Sequence, residues 1–93
     1  MHALTWDDFA DAEGTVYEVA VGEDRFELTL QVAQALAASG RDGRSFRLEF
    51  LGPGDPVLPQ AIYPFRAGDR SFEIFIVPIG RKSTGMRYEA IFN

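Results

Sequence analysis

The sequence predicts an all-β domain, a small antiparallel meander barrel or rolled sandwich of about six strands with a short N-terminal helix. Three observations lead there. The apolar residues Phe26, Leu28, Leu30 and Val32 alternate with Arg25, Glu27, Thr29 and Gln31, and the same rhythm returns at Phe46, Leu48, Phe50 and at Met86, Tyr88, Ala90, Phe92. A period of two places each set of hydrophobes on one face of an extended strand. Between such runs lie short segments that begin with glycine, at Gly22, Gly68 and Gly80, and glycine accepts the positive φ that tight hairpins require.

The first element in chain order is the helix. Thr5 can cap it, Asp8 stands three residues on as a capping-box partner, and Leu4 and Phe9 occupy the positions of a hydrophobic staple. Asp7, Asp8 and Asp11 complement the positive end of its dipole, and Gly14 stops it. Trp6, Phe9 and Ala10 form its apolar stripe, expected to dock on the sheet or to plug an open end of the barrel.

Strands are expected near residues 15–21, 25–34, 45–52, 61–67, 71–79 and 86–92, successive ones pairing antiparallel. The segment from Ala35 to Arg44 is expected to extend a hairpin. Gly52-Pro53-Gly54-Asp55-Pro56-Val57-Leu58-Pro59-Gln60 holds three prolines, each fixing φ and removing a backbone donor. It reads as a stiff crossover that carries the chain from one part of the sheet to another.

The strand at 71–79 differs from the rest. Phe72, Ile74 and Ile76 fill one face while Phe75, Val77 and Ile79 fill the other, and a ribbon apolar on both sides needs cover on both. The N-terminal helix, the Val57-Leu58 loop or a second chain would supply it. Pro78, Arg81 and Lys82 close the run as guards against aggregation.

A single domain is expected from 93 residues. Eight Phe, three Tyr and one Trp compensate for a modest core, since each buried ring removes on the order of 150–250 Å² from water. The formal charge of −5 is uneven, with nine acids and three bases in residues 1–46 but five acids and six bases in residues 47–93. Scattered arginines and one lysine do not make the clustered basic surface that phosphate backbones need, so no nucleic-acid partner is expected. The absence of cysteine excludes disulfides and thiolate metal sites and fits a cytoplasmic location. The opening residues lack the basic and apolar stretches of a secretion signal, and no segment reaches the roughly 20 apolar residues of a spanning helix, so no membrane is expected.

Catalysis has little material. The one histidine, His2, adjoins the chain start, and Ser39, Ser45, Ser71 and Ser83 have no activating context. Asp7, Asp8, Asp11 and Glu13 would fan around a helix and not converge on a cation. No enzyme activity, cofactor or metal is expected. The candidate contact residues are Asp55, Val57, Leu58 and Gln60 in the proline-rich connector and Phe75, Val77 and Ile79 on the second face of the strand at 71–79. They point to an interaction or assembly module whose partner is another protein or a second copy, a dimer included. Two other functions remain open: a barrel that binds a small apolar molecule among Phe26, Phe46, Phe50, Phe72 and Tyr88, and a hydrolase using strand carboxylates such as Glu49, Glu73 and Glu89. Tyr63, Tyr88 and Arg87 offer a further contact surface, with cross-strand pairing as their ordinary use.

The segments 52–63, Gly-Pro-Gly-Asp-Pro-Val-Leu-Pro-Gln-Ala-Ile-Tyr, and 85–93, Gly-Met-Arg-Tyr-Glu-Ala-Ile-Phe-Asn, resemble a family of short bacterial domains of unknown function. The opening Leu-Thr-Trp-Asp-Asp-Phe and the Phe-Ile-Val-Pro-Ile-Gly of 75–80 fit the same pattern. The resemblance implies a stand-alone all-β bacterial domain, associated with genes for tail-collar-like, phage-derived proteins, and assigns no catalytic or ligand residues.

Overall fold

In a computed structural model, which describes Leu4 and residues 6–36 and 45–92, the alternating runs form six strands: β1 (Val16–Val21), β2 (Asp24–Ala35), β3 (Phe46–Gly52), β4 (Ala61–Ala67), β5 (Arg70–Lys82) and β6 (Gly85–Phe92). All pairings are antiparallel, and the sheet closes into a ring in the order β1-β2-β3-β6-β5-β4. The all-β expectation holds, but the meander order does not. Two three-stranded meanders are joined by the proline-rich crossover, which passes from β3 to β4, three places away around the ring. Because β3 pairs with β6 and β1 with β4, the fold depends on pairings that no hairpin enforces.

Register places one side chain in two inside. Phe46, Leu48 and Phe50 of β3, Ile76 of β5 and Tyr88 of β6 are fully buried, and Phe72, Ile74, Met86 and Ala90 nearly so. The rings pack on one another across the interior: Phe50 lies 4.9 Å from Phe65, and Tyr17 lies 5.9 Å from Phe50 and 6.0 Å from Phe65. Of the residues suggested as a ligand lining, Phe46, Phe50, Phe72 and Tyr88 serve as packed core, and Phe26 is partly buried against it.

β2 departs from simple alternation. A bulge between Leu30 and Val32 shifts its register against β3, so Val32 does not join Phe26, Leu28 and Leu30. It pairs instead with the outward Glu49, while Ala33, opposite Leu48, packs against the core and the exposed Ala35 pairs with Phe46. The extra residue of a bulge reverses the phase of everything after it. The hairpin expected after β2 begins as such, with the Leu36 N–H donating to the Ser45 carbonyl at 2.8 Å. Residues 37–44 lie outside the described residues.

The N-terminal helix is reduced to one 3₁₀ turn at Trp6–Asp8. From there the chain descends in steps of three, each closed by a bond at 3.0 Å: the N–H groups of Phe9, Ala12 and Thr15 donate to the carbonyls of Trp6, Phe9 and Ala12. Aspartate-rich sequence favours turns over helix interior, and Phe9 must reach the core, where it is wholly buried. Its ring meets Phe72 at 5.3 Å, Phe46 at 6.0 Å and Phe92 at 6.4 Å, with Trp6 on Phe46 at 6.2 Å. The segment plugs the lower end of the ring, as expected of the helix. The proposed cap Thr5, like His2, lies outside the described residues.

Candidate interaction surface

The outer face of β5 carries the two-sided pattern. Phe72, Ile74 and Ile76 point inside; Phe75 is 48% exposed, Val77 half-buried and Ile79 37% exposed. Among the described residues, the two candidate covers pack elsewhere: the N-terminal segment seats its rings on Phe46, Phe72 and Phe92 at the lower end, and Leu58 of the crossover turns into the core.

Register brings further apolar residues to the same face. Ile62 of β4 pairs with Phe75 and is 63% exposed. Val77 pairs with Glu89 and Pro78 with Tyr88; continuing that register toward the end of β6 sets Ile91, 55% exposed, at the level of Phe75. Ile62 and Phe75 are thus the paired part of an apolar row, and Ile91 is its extension on β6, beyond the end of the β5–β6 ladder at Val77–Glu89. Ile62 and Ile91 escape sequence reading because a single outward hydrophobe in an alternating strand is ordinary; the register alone makes them a row.

β5 runs three residues past its expected end. The hairpin to β6 is the pair Ser83-Thr84, not the whole stretch from Gly80 to Gly85. Pro78 sits where β5 has passed the start of β4, whose ladder begins at Ala61 opposite Ile76, and a strand with a neighbour on one side tolerates a residue without N–H. A register shift between Pro78 and Gly80 leaves Ile79 in the bulge.

The connector is anchored at three points. The Leu58 N–H donates to the Tyr88 hydroxyl at 2.8 Å, the Tyr63 hydroxyl donates to the Pro59 carbonyl at 2.6 Å, and Arg81 Nη1 donates to the Gly54 carbonyl at 2.7 Å. Leu58 is buried, which removes its side chain from the contact surface, whereas Asp55, Val57 and Gln60 are exposed. Gln60 directly precedes Ala61, so the connector delivers the chain to the upper end of the apolar row. Tyr63 and Tyr88 are core residues; of that trio only Arg87 faces outward.

Beside the row lies a charged cluster. Glu49 and Glu89 are directly opposite one another in register, and Arg47 holds both: its Nη2 donates to Glu49 Oε2 at 2.9 Å and its Nε to Glu89 Oε2 at 3.1 Å. Arg47 Nη1 also donates to Gln34 Oε1 at 3.3 Å, and Arg87 Nη1 to Glu49 Oε1 at 3.4 Å. The hydrogen bond to Glu49 is the main cause that raises the Arg47 pKa, with Glu89 adding and burial opposing. Two carboxylates so clamped are counter-charges for arginine. Glu73 stands apart on β5, exposed and paired in register with Pro64.

The N-terminal acids serve the plug. Asp8 accepts from Arg70 Nη2 at 2.8 Å, and Glu13 Oε2 accepts from the Ala33 N–H at 3.0 Å, where β2 has run past β1. Among the described residues no three acidic, histidine or cysteine side chains group as metal ligands, and no helix is long and apolar enough to cross a membrane.

Residues 4–92 match the model of a family described as a domain of unknown function, DUF6916. The chain belongs to this family. The match spans both meanders and the plug, so the family unit is the whole ring described above. No curated protein and no solved structure matches the chain.

Proposed function

We propose that this DUF6916 domain is a non-enzymatic interaction or assembly module that contacts protein through the outer face of β4, β5 and β6. The observation that carries this is the row Ile62, Phe75, Ile91, all three exposed among the described residues. Rows of large apolar side chains on an otherwise charged sheet surface mark contact sites. The packed rings of the interior favour a contact on the outside over a ligand held within, and the clamped Glu49 and Glu89 favour structure over acid–base chemistry. A bacterial, phage-derived setting, implied by the segments 52–63 and 85–93, suits an assembly piece that acts in the cytoplasm.

The test is capture from cells that contain the natural partners, using the tagged domain and its Ile62→Asp and Phe75→Asp variants, each first checked for an unchanged circular dichroism spectrum. The expected outcome is a protein, the untagged chain included, retained by the parent and lost from both variants. Equal retention by all three defeats the proposal.

A further inference from the structure

We propose that the ring is built to open at one seam, β1 against β4, with the seam of β3 and β6 as its hinge. The two meanders, β1-β2-β3 and β4-β5-β6, meet along these two seams, and the seams are unlike. β3 and β6 are paired from Phe46 with Phe92 to Gly52 with Met86. Two ion pairs also cross them, Arg47 to Glu89 at 3.1 Å and Arg87 to Glu49 at 3.4 Å. β1 and β4 are paired at Glu18 with Arg66 and at Val19 with Phe65.

The short seam is bounded at both ends. One step upward, the register sets Ala20 opposite Pro64, which has no N–H to give a ladder. Downward, an open cleft lined by Val16, Glu18, Glu27, Arg66, Ala67 and Gly68 lies where the pairing would run on. Outside the seam, Glu18 turns to Arg25 of β2 at 3.6 Å, an exposed pair on one side of it that contributes little to closure. Inside, Tyr17 meets Phe65 at 6.0 Å, and Val19 and Phe65 are fully buried. That apolar contact keeps the closed state in the majority, and opening bares it.

The crossover does not staple the seam, because its anchors Tyr88, Arg81 and Tyr63 all belong to the second meander. The plug does span it. On one side the plug is bonded to β2, through Gly14 and Thr15 to Leu30 and through Glu13 to Ala33. On the other it reaches β5, where Asp8 holds Arg70 at 2.8 Å and the Phe9 ring meets Phe72 at 5.3 Å. The Asp8–Arg70 pair is therefore the latch of the seam, and a segment held by so few bonds opens at lower free energy than the whole fold.

The test is hydrogen exchange of the purified chain, followed residue by residue by NMR. Amides among Glu18, Val19, Phe65 and Arg66 that bond across the seam are expected to exchange at least about tenfold faster than those bonded between β3 and β6. Glu18→Cys with Arg66→Cys, directly opposite in register in a chain without cysteine, sets two thiols at disulfide distance. Oxidation of this pair is expected to slow the seam amides at least about tenfold more than those between β3 and β6, and reduction to restore the parent rates. If the clamp does not close, Arg70→Gln, at an exposed position, serves in its place: released from the latch, the seam amides exchange about threefold faster while those between β3 and β6 are unchanged. Parent seam amides as slow as those between β3 and β6, a clamp that slows both seams equally, or an Arg70→Gln variant without selective effect overturns the proposal.

Discussion

The backbone N–H of Leu58, midway along the crossover, donates to the hydroxyl of Tyr88 on β6 at 2.8 Å, with both residues buried. The crossover thereby closes the upper end of the ring as Phe9 closes the lower. Leu58→Ala is expected to cost about 2–5 kcal/mol by leaving a cavity, and Tyr88→Phe about 1–3 kcal/mol by leaving a buried N–H without its acceptor. Urea unfolding measures both. A Leu58→Ala variant as stable as the parent would return this side chain to the contact surface.

Gly85 faces a different constraint, since a Cβ there would run into the backbone carbonyl of Gly52 on β3. Gly22 and Gly68 open two-residue hairpins with φ of +62° and have nothing within 4 Å of an added Cβ. Alanine at either hairpin strains only the local backbone, at about 1–2 kcal/mol. Gly85→Ala must also push β6 from β3, so thermal melting is expected to rank it as the most destabilising of the three substitutions.

The strands and their inward faces were legible wherever alternation ran unbroken, as through Phe46, Leu48, Phe50 and Met86, Tyr88, Ala90. The bulge at Gln31 was not, because Leu30-Gln31-Val32-Ala33 contains no glycine or proline to mark a break in phase. The strong capping pattern around Thr5 and Asp8 misled for another reason: a local helix signal of a few residues yields to the burial of Phe9. A barrel was expected, but the pairing of β3 with β6 and of β1 with β4 was hidden because sequence proximity speaks only for hairpins. At the candidate surface, Phe75, Val77 and Ile79 announced themselves by making one strand apolar on both sides. Ile62 and Ile91 needed the register, and the inward turn of Leu58 needed its partner Tyr88.

The bulge itself is open to test through the residues on either side of it. Leu30 is fully buried and Val32 half-buried beside the outward Glu49. Leu30→Asp buries an unpaired carboxylate and is expected to prevent folding. Val32→Thr keeps the β-branched shape and is expected to change stability by less than about 1 kcal/mol. Were the alternation unbroken, Val32 would be core and its hydroxyl replacement nearly as harmful, so circular dichroism melts of the two variants decide the register.

Two tyrosines link the ends of the ring to alkaline pH. Burial raises the pKa of Tyr17 above its ordinary 10.0, with Arg70 opposing and Asp8 adding to the rise; burial likewise raises Tyr63, with Tyr88 contributing. Unfolding returns each phenol to its ordinary value, so above about pH 10 the unfolded chain releases protons that the folded chain retains. The stabilisation is complete below that pH and is lost as pH rises through the raised folded values. The melting temperature is therefore expected to begin an alkaline decline near pH 10, and Tyr17→Phe, which removes the stronger burial at the lower plug, is expected to make that decline shallower. An alkaline slope identical in the parent and in the Tyr17→Phe, Tyr63→Phe double variant would trace it to other groups.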